Sequence, residues 1–180
     1  VGVLNSDAML FSQDFRAPER LFAQLMQVAG RAGRHREGAQ VLIQTDYPDQ
    51  AVYQALLQHN YDAFAQHELT QRHTVGLPPY VHLALITAEA KSVDQALAFL
   101  QQAKQWAQHP DMPGKDQVFL YDAVPLRIVK VANRERAQLL IESQHRQALQ
   151  AFLQTWGAQL DELANYHRCT WLLEVDPQDM

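Results

Sequence analysis

Apolar residues recur along the chain at two spacings, and the switches between them lay out the elements. Val1-Gly2-Val3-Leu4 is a short apolar run, expected as a buried strand, and it runs into a polar turn at Asn5-Ser6-Asp7. Residues 9–16 read as a loop. Pro18 suits the first turn of a helix, where its missing N–H costs nothing. From it, Leu21, Phe22, Leu25, Met26 and Val28-Ala29 recur at helical spacing until Gly30 and Gly33 end the helix. Ala39 to Gln44 alternates around Val41 and Ile43 as a strand, and Thr45-Asp46-Tyr47-Pro48 has helix-start chemistry. Helices follow over 49–58, with Val52, Ala55 and Leu56 as its stripe, and over 61–73, carrying Phe64, His67, Glu68 and Gln71.

Gly76-Leu77-Pro78-Pro79-Tyr80 breaks helix firmly and marks the best internal boundary. Beyond it come a strand at Val81–Thr87 and an amphipathic helix over 92–107 with Val93, Ala96, Leu97, Leu100 and Ala103 on one side. Strands at Val118–Tyr121 and Arg127–Ala132 flank a break at Pro125. A strand at Gln138–Glu142 and a helix over 144–156 follow, the helix turning Leu149, Phe152 and Leu153 inward. The chain closes with a buried strand from Cys169 to Val175. The order β-α-β-β-β-α-β predicts an α/β fold, a two-layer sandwich of the split β-α-β type with one extra strand.

Composition narrows the classes. Apolar residues make up 47% and charged residues 19%, which excludes collagen-like, coiled-coil and wholly disordered chains. The longest apolar run falls far short of the roughly 18 residues that a membrane span needs, so no membrane partner is expected. One cysteine, Cys169, excludes a disulfide framework and a multi-Cys zinc site. The eight histidines show no ligand spacing, so no metal ligands are assigned. Trp106, Trp156 and Trp171 fit core packing better than base stacking. With 15 Lys and Arg against 20 Asp and Glu, the net charge of −5 leaves DNA contact to local patches such as Arg127, Lys130, Arg134 and Arg136. That run equally suits an edge strand guarded by charge. The chain starts without an initiator Met or a signal peptide, and is expected to be a fragment of a cytoplasmic protein.

The stretch that carries chemistry is Gln27-Val28-Ala29-Gly30-Arg31-Ala32-Gly33-Arg34. On a helix Gln27 and Arg31 are four apart, and Arg31 and Arg34 three apart, so all three project from one face. The glycines remove Cβ atoms and let a phosphate approach. Two planar guanidinium groups side by side suit a polyphosphate and the charge that develops on a transferred phosphoryl group. Taken alone, the pair also fits a solvated helix end, where cations offset the dipole.

Gln27 to Arg34 resembles motif VI of superfamily 2 helicases. Gly2 to Ala8, followed by Asp14-Phe15-Arg16-Ala17-Pro18-Glu19-Arg20, is similar to the family of primosomal replication-restart DNA helicases, the PriA or primosomal protein N-prime family. Tyr61-Asp62-Ala63-Phe64, the Gly76–Tyr80 turn and Trp171-Leu172-Leu173-Glu174-Val175-Asp176-Pro177 resemble that family's C-terminal region.

The resemblance implies an ATP-dependent 3′ to 5′ DNA helicase that recognises stalled or repaired forks and restarts replication by primosome assembly in bacteria. Residues 1–46 would be the last part of a second RecA-like lobe, 47–79 a helical connector and 80–180 the C-terminal α/β domain. Asn5 and Asp7 would belong to motif V, which couples the nucleotide site to the DNA track. Arg31, Arg34 and Gly30 would face the ATP phosphates, with Arg34 as arginine finger and Gln27 in support. Arg146 and Gln150 would line the pocket for the acidic C-terminal tail of the single-stranded-DNA-binding protein SSB. The intact protein would use ATP with Mg, and zinc held by residues outside this chain. Its partners would be forked and single-stranded DNA, SSB and other primosome proteins, in the bacterial cytoplasm at the nucleoid.

An Arg and a Gln four apart on a helix make a plausible clamp for a peptide's terminal carboxylate, yet they equally read as two exposed helix residues. The chain shows no Gly-x-x-x-x-Gly-Lys-[Ser/Thr] loop and no acidic Mg motif, so alone it is expected to be inactive as an ATPase. The rival reading is a stand-alone module, residues 80–180, that binds an SSB tail or branched DNA without ATPase activity.

Overall fold

The computed structural model describes residues 1–33, 40–126 and 134–178. It divides into two compact units, Val1–Val75 and Gly76–Gln178. The first contains β1 (Gly2–Val3), α1 (Ser6–Leu10), α2 (Ala17–Gly33), β2 (Leu42–Ile43), α3 (Ala51–Leu57) and α4 (Tyr61–Val75). β1 and β2 pair in parallel, Gly2 opposite Leu42 and Val3 opposite Ile43. Leu21, Phe22 and Leu25 of α2, Val52, Tyr53, Ala55 and Leu56 of α3, and Phe64 of α4 bury one face each in a shared core. Phe22 stacks on Phe64 at 4.5 Å between ring centroids. Helix formation here follows the apolar stripe, because short isolated helices are marginal without tertiary packing.

Four expectations for this unit are corrected. The run at Val1–Leu4 is not a buried strand: Val1 is 66% and Leu4 75% exposed. Only Val3 packs on the helical core, because β1 lasts two residues before α1 begins. The polar turn at Asn5–Asp7 is the start of that helix. Asn5 takes a left-handed conformation, φ 60°, and α1 begins at Ser6. The expected loop over 9–16 accordingly starts after Leu10. Gly30 does not end α2 but lies inside it, and the helix runs to Gly33.

The second unit contains β3 (His82–Ala90), α5 (Val93–Ala107), a 3-10 turn (Lys115–Gln117), β4 (Phe119–Leu120), β5 (Val124–Pro125), β6 (Glu135–Ser143), α6 (Arg146–His167) and β7 (Thr170–Val175). The sheet order is β4-β6-β3-β7, with β5 also pairing with β6, and every pairing is antiparallel. Each helix crosses from one strand to a strand elsewhere in the sheet, which is the split β-α-β arrangement of an α/β fold. Period-two alternation turns Ala84, Ile86, Ala88 and Ala90 of β3, and Ala137, Leu139 and Ile141 of β6, into one core. These small strand residues leave room for Phe99, Phe152 and Trp156 on the helices. Trp156 Nε1–H donates to the Ala103 carbonyl at 2.8 Å, so α6 is tied to α5 inside that core. Ser92 caps α5, its hydroxyl accepting from Gln95 N–H, while Val93 N–H donates to Glu135 Oε2 at 2.7 Å.

β3 runs on to Ala90 and β6 starts earlier than expected, at Glu135, and three further readings of this unit are corrected. Helix α6 continues eleven residues beyond the expected end at 156, because Leu160, Leu163 and Ala164 extend the buried stripe past Gly157. Pro125 is not a break but part of β5, an edge position where its missing N–H is tolerated. β7 is not a buried strand. It lies at the sheet edge, and Leu172 is 59% exposed; only Cys169, just before it, is buried. The strand expected at Arg127–Ala132 lies outside the described residues.

Candidate functional site

The last two turns of α2 carry the phosphate-binding candidates. Leu21, Phe22 and Leu25 fix one face inward, which leaves Gln27, Gly30 and Arg31 exposed. Gln27 and Arg31 stand one turn apart on that open side. A Cβ placed on Gly30 would meet nothing within 4 Å, so no neighbour within the described residues requires glycine there. Glu19 in the first turn and Arg31 in the last both complement the helix dipole. The face fits a phosphate ligand, having an exposed guanidinium, an amide and a bare backbone position. Arg34 lies outside the described residues.

Asn5 and Asp7 stand at the start of α1, where a side-chain network closes around Asp7. Its Oδ1 accepts from Thr45 Oγ1–H at 2.6 Å and from the Tyr53 hydroxyl at 2.9 Å, and its Oδ2 accepts from Asp46 N–H at 2.8 Å. The Thr45 bond first, then the Asp46 bond, hold the Asp7 carboxyl below its ordinary range; burial opposes them, and the Tyr53 bond adds the smallest lowering effect. Ser6, Thr45 and Tyr53 are functional candidates that the sequence pattern did not single out. A signal existed for Tyr53. It falls within the apolar stripe of α3, and a buried tyrosine hydroxyl needs a partner.

In the second unit, Arg146 and Gln150 occupy the first two turns of α6, one turn apart and both exposed. The helix entry is built by Ser143, whose hydroxyl donates to the Gln117 carbonyl at 2.7 Å and accepts from His145 N–H at 3.0 Å. Gly114, at φ 74°, lets the preceding loop touch α6: a Cβ there would sit 3.0 Å from the Ala148 carbonyl oxygen. A cleft of about 380 Å³ beside this entry is lined by Asp116, Gln117, Phe119, Glu142, Gln144 and His145 among others. Glu142 accepts from the Tyr121 hydroxyl at 2.8 Å, which pushes the Tyr121 pKa up. Asp116 and Glu142 in the cleft disfavour an anion inside it.

The basic run is engaged within the sheet. Arg134 and Arg136 both reach Glu89, at 3.1 and 2.9 Å. Arg127 and Lys130 lie outside the described residues. Trp156 is fully buried, and Trp171 Nε1–H donates to Asp161 at 3.0 Å. Among the described residues no group of three His, Cys, Asp or Glu side chains could hold a metal ion. No helix among them is long and apolar enough to cross a membrane.

Comparison with known proteins supplies the family. Residues 73–178 match the family described as "Primosomal protein N C-terminal domain". The whole chain is 39% identical over 180 residues to the replication restart protein PriA of Haemophilus influenzae, covering 24% of that protein. It is 34% identical over 153 residues to the PriA of Bacillus subtilis, covering 85% of this chain and 19% of the relative. It is 38% identical over 148 residues to that of Synechocystis, covering 79% of this chain and 17% of the relative. The chain thus spans less than a quarter of the length of these curated relatives. A match over more than half its length, in the unit that holds the split β-α-β sheet, places this chain in the primosomal protein N C-terminal domain family, among the PriA replication restart proteins.

Proposed function

We propose that this chain is the C-terminal part of an ATP-dependent 3′ to 5′ DNA helicase that recognises stalled or repaired replication forks and restarts replication by assembling the primosome. The observation that carries the reading is the exposed face of α2. Gln27, Gly30 and Arg31 stand open on one side of a helix whose other side is core, within a chain 39% identical throughout to a replication restart protein. ATP with Mg supplies the phosphoryl group when bound. Arg31 and Arg34 offer planar donors to its oxygens, and Gly30 lets them come close. Gln27 orients that donor set. Asn5 and Asp7 couple the nucleotide site to the DNA track. The protein acts in the bacterial cytoplasm at the nucleoid, on forked and single-stranded DNA with SSB and other primosome proteins. Alone, this chain hydrolyses no ATP. The test is strand displacement on a forked duplex by the intact protein. Arg34→Ala abolishes unwinding in this account, and unwinding at the wild-type rate would sink it.

A second reading is favoured by the complete core of the second unit and the open Arg146–Gln150 face of α6. Residues 80–180 would bind the acidic SSB tail or branched DNA as a module. Titration of the chain with an acidic C-terminal peptide tests this: binding that Arg146→Ala removes supports the module, and equal binding by both forms, or by neither, counts against it.

A further inference from the structure

Ser6, Asp7 and Tyr53 form a circuit whose proton count does not close. The Tyr53 hydroxyl lies 2.8 Å from Ser6 Oγ and 2.9 Å from Asp7 Oδ1. Ser6 Oγ also lies 3.1 Å from the Gln44 carbonyl. Ser6 and Tyr53 carry one hydroxyl proton each, yet the circuit offers three contacts, Gln44–Ser6, Ser6–Tyr53 and Tyr53–Asp7. When Tyr53 donates to Asp7, the Ser6 proton goes either to Tyr53 or to the Gln44 carbonyl. When Tyr53 donates to Ser6 instead, Ser6 donates to Gln44 and Asp7 loses a donor. An ionised Asp7 favours the first arrangement, since bonds to a carboxylate are the stronger ones.

The circuit holds a tight turn. Asn5 sits at φ 60°, a left-handed conformation that asparagine tolerates better than most non-glycine residues. No side-chain bond from Asn5 caps α1. The restraint comes from the next two residues. Ser6 and Asp7 are anchored to Gln44, Thr45 and Asp46 after β2, and to Tyr53 on α3, contacts that span 38 to 47 residues of chain. The Asp7 carboxylate is therefore held in bonds within this unit.

We propose that Tyr53 and Thr45 are positioning residues, which lock the Asn5–Asp7 turn to the segment after β2, so that losing either hydroxyl lowers DNA stimulation of ATP turnover and spares nucleotide binding. The inference rests on the proposed role of Asn5 and Asp7 in coupling ATP to DNA. Thr45 supplies the shortest bond to Asp7, and its oxygen also accepts from Tyr47 N–H at 2.9 Å, so it fixes the far side of the turn as well. Tyr53 is the element in the core, 4% exposed, and carries that restraint into α3.

The experiment measures ATP turnover of the intact protein with and without single-stranded oligodeoxythymidylate. Tyr53→Phe and Thr45→Val each lower the DNA-stimulated kcat about tenfold, the factor carried by one hydrogen bond to a charged group. The KM for ATP and the DNA-independent rate stay at wild-type values, and Thr45→Ser, which keeps the oxygen, restores stimulation. Stimulation within about twofold of wild type in both variants overturns the proposal, on the scale that one such bond sets. So does a parallel fall of the stimulated and unstimulated rates, the mark of a purely structural role. Arg31→Ala, assayed alongside, separates the two levels of the argument. Unchanged turnover there removes the proposed ATP site, whereas the Tyr53 and Thr45 variants are scored on the stimulation ratio alone. An intact protein with no DNA-stimulated turnover at all removes both.

Discussion

Trp156→Phe probes the packing that holds α6, and with it the Arg146–Gln150 face, in place. The Trp156 side chain is fully buried, stacks on Phe152 at 5.4 Å, and donates its indole N–H to the Ala103 carbonyl at 2.8 Å. Phenylalanine keeps an aromatic ring but loses the donor and leaves unfilled space. The hydrogen bond is worth about 1 kcal/mol. The volume lost is roughly 40 Å³, which at about 24 cal/mol per Å³ of unrelaxed cavity adds about 1 kcal/mol. The sum, about 2 kcal/mol, lowers the melting midpoint of a unit of this size by roughly 8–16 °C. Thermal unfolding followed by circular dichroism, with near-ultraviolet signals to isolate the second unit, reads the shift directly. A shift under about 3 °C would mean that the indole bond and the packing around it do not limit the stability of this unit.

Three further outcomes follow from the same geometry. Gly114→Ala forces a side chain onto φ 74° and against the Ala148 carbonyl, and costs about 1–3 kcal/mol in urea titration; an unchanged midpoint would contradict the close approach. Gly30→Ala fills open space inside a helix, so it raises stability by up to about 1 kcal/mol while lowering ATP turnover of the intact protein; higher turnover would remove the phosphate role of that backbone. Burial, the largest effect, raises the Glu68 pKa, so the folded state holds this proton more tightly than the unfolded chain does. The benefit is complete below the ordinary glutamate value and is lost as pH rises through the raised one. Glu68→Gln therefore raises the melting point more at pH 7 than at pH 4, and an equal gain at both would show that ionisation of Glu68 has no part in it.

Much of the second unit is legible in the chain because its two spacings are clean. β6 alternates from Arg136 on and β3 from Ile86 on, and the stripes of α5 and α6 meet them in one core. The edge character of β7 is not legible. Trp171, Leu172 and Leu173 have the composition of a buried strand, and only the sheet order leaves one side of it uncovered. The length of α6 is hidden by Gly157, since the stripe that carries the helix onward depends on packing across the sheet. In the first unit the open face of Gln27, Gly30 and Arg31 follows from helical spacing alone. The hydroxyl circuit at Asp7 does not, because Ser6, Thr45 and Tyr53 meet only after distant segments are brought together. The engagement of Arg134 and Arg136 by Glu89 is hidden for the same reason: the residues are neighbours across β3 and β6, not along the chain.

In the proposed function the exposed end of α2 completes an ATP site. The most direct measurement is nucleotide affinity and turnover, side by side, in the intact protein and its Arg31→Ala variant. A guanidinium that stabilises charge on the transferred phosphoryl group lowers turnover by a factor on the order of a thousand when removed, while nucleotide affinity changes far less. Wild-type turnover in Arg31→Ala would contradict the account and leave that face of α2 as an ordinary solvated helix end.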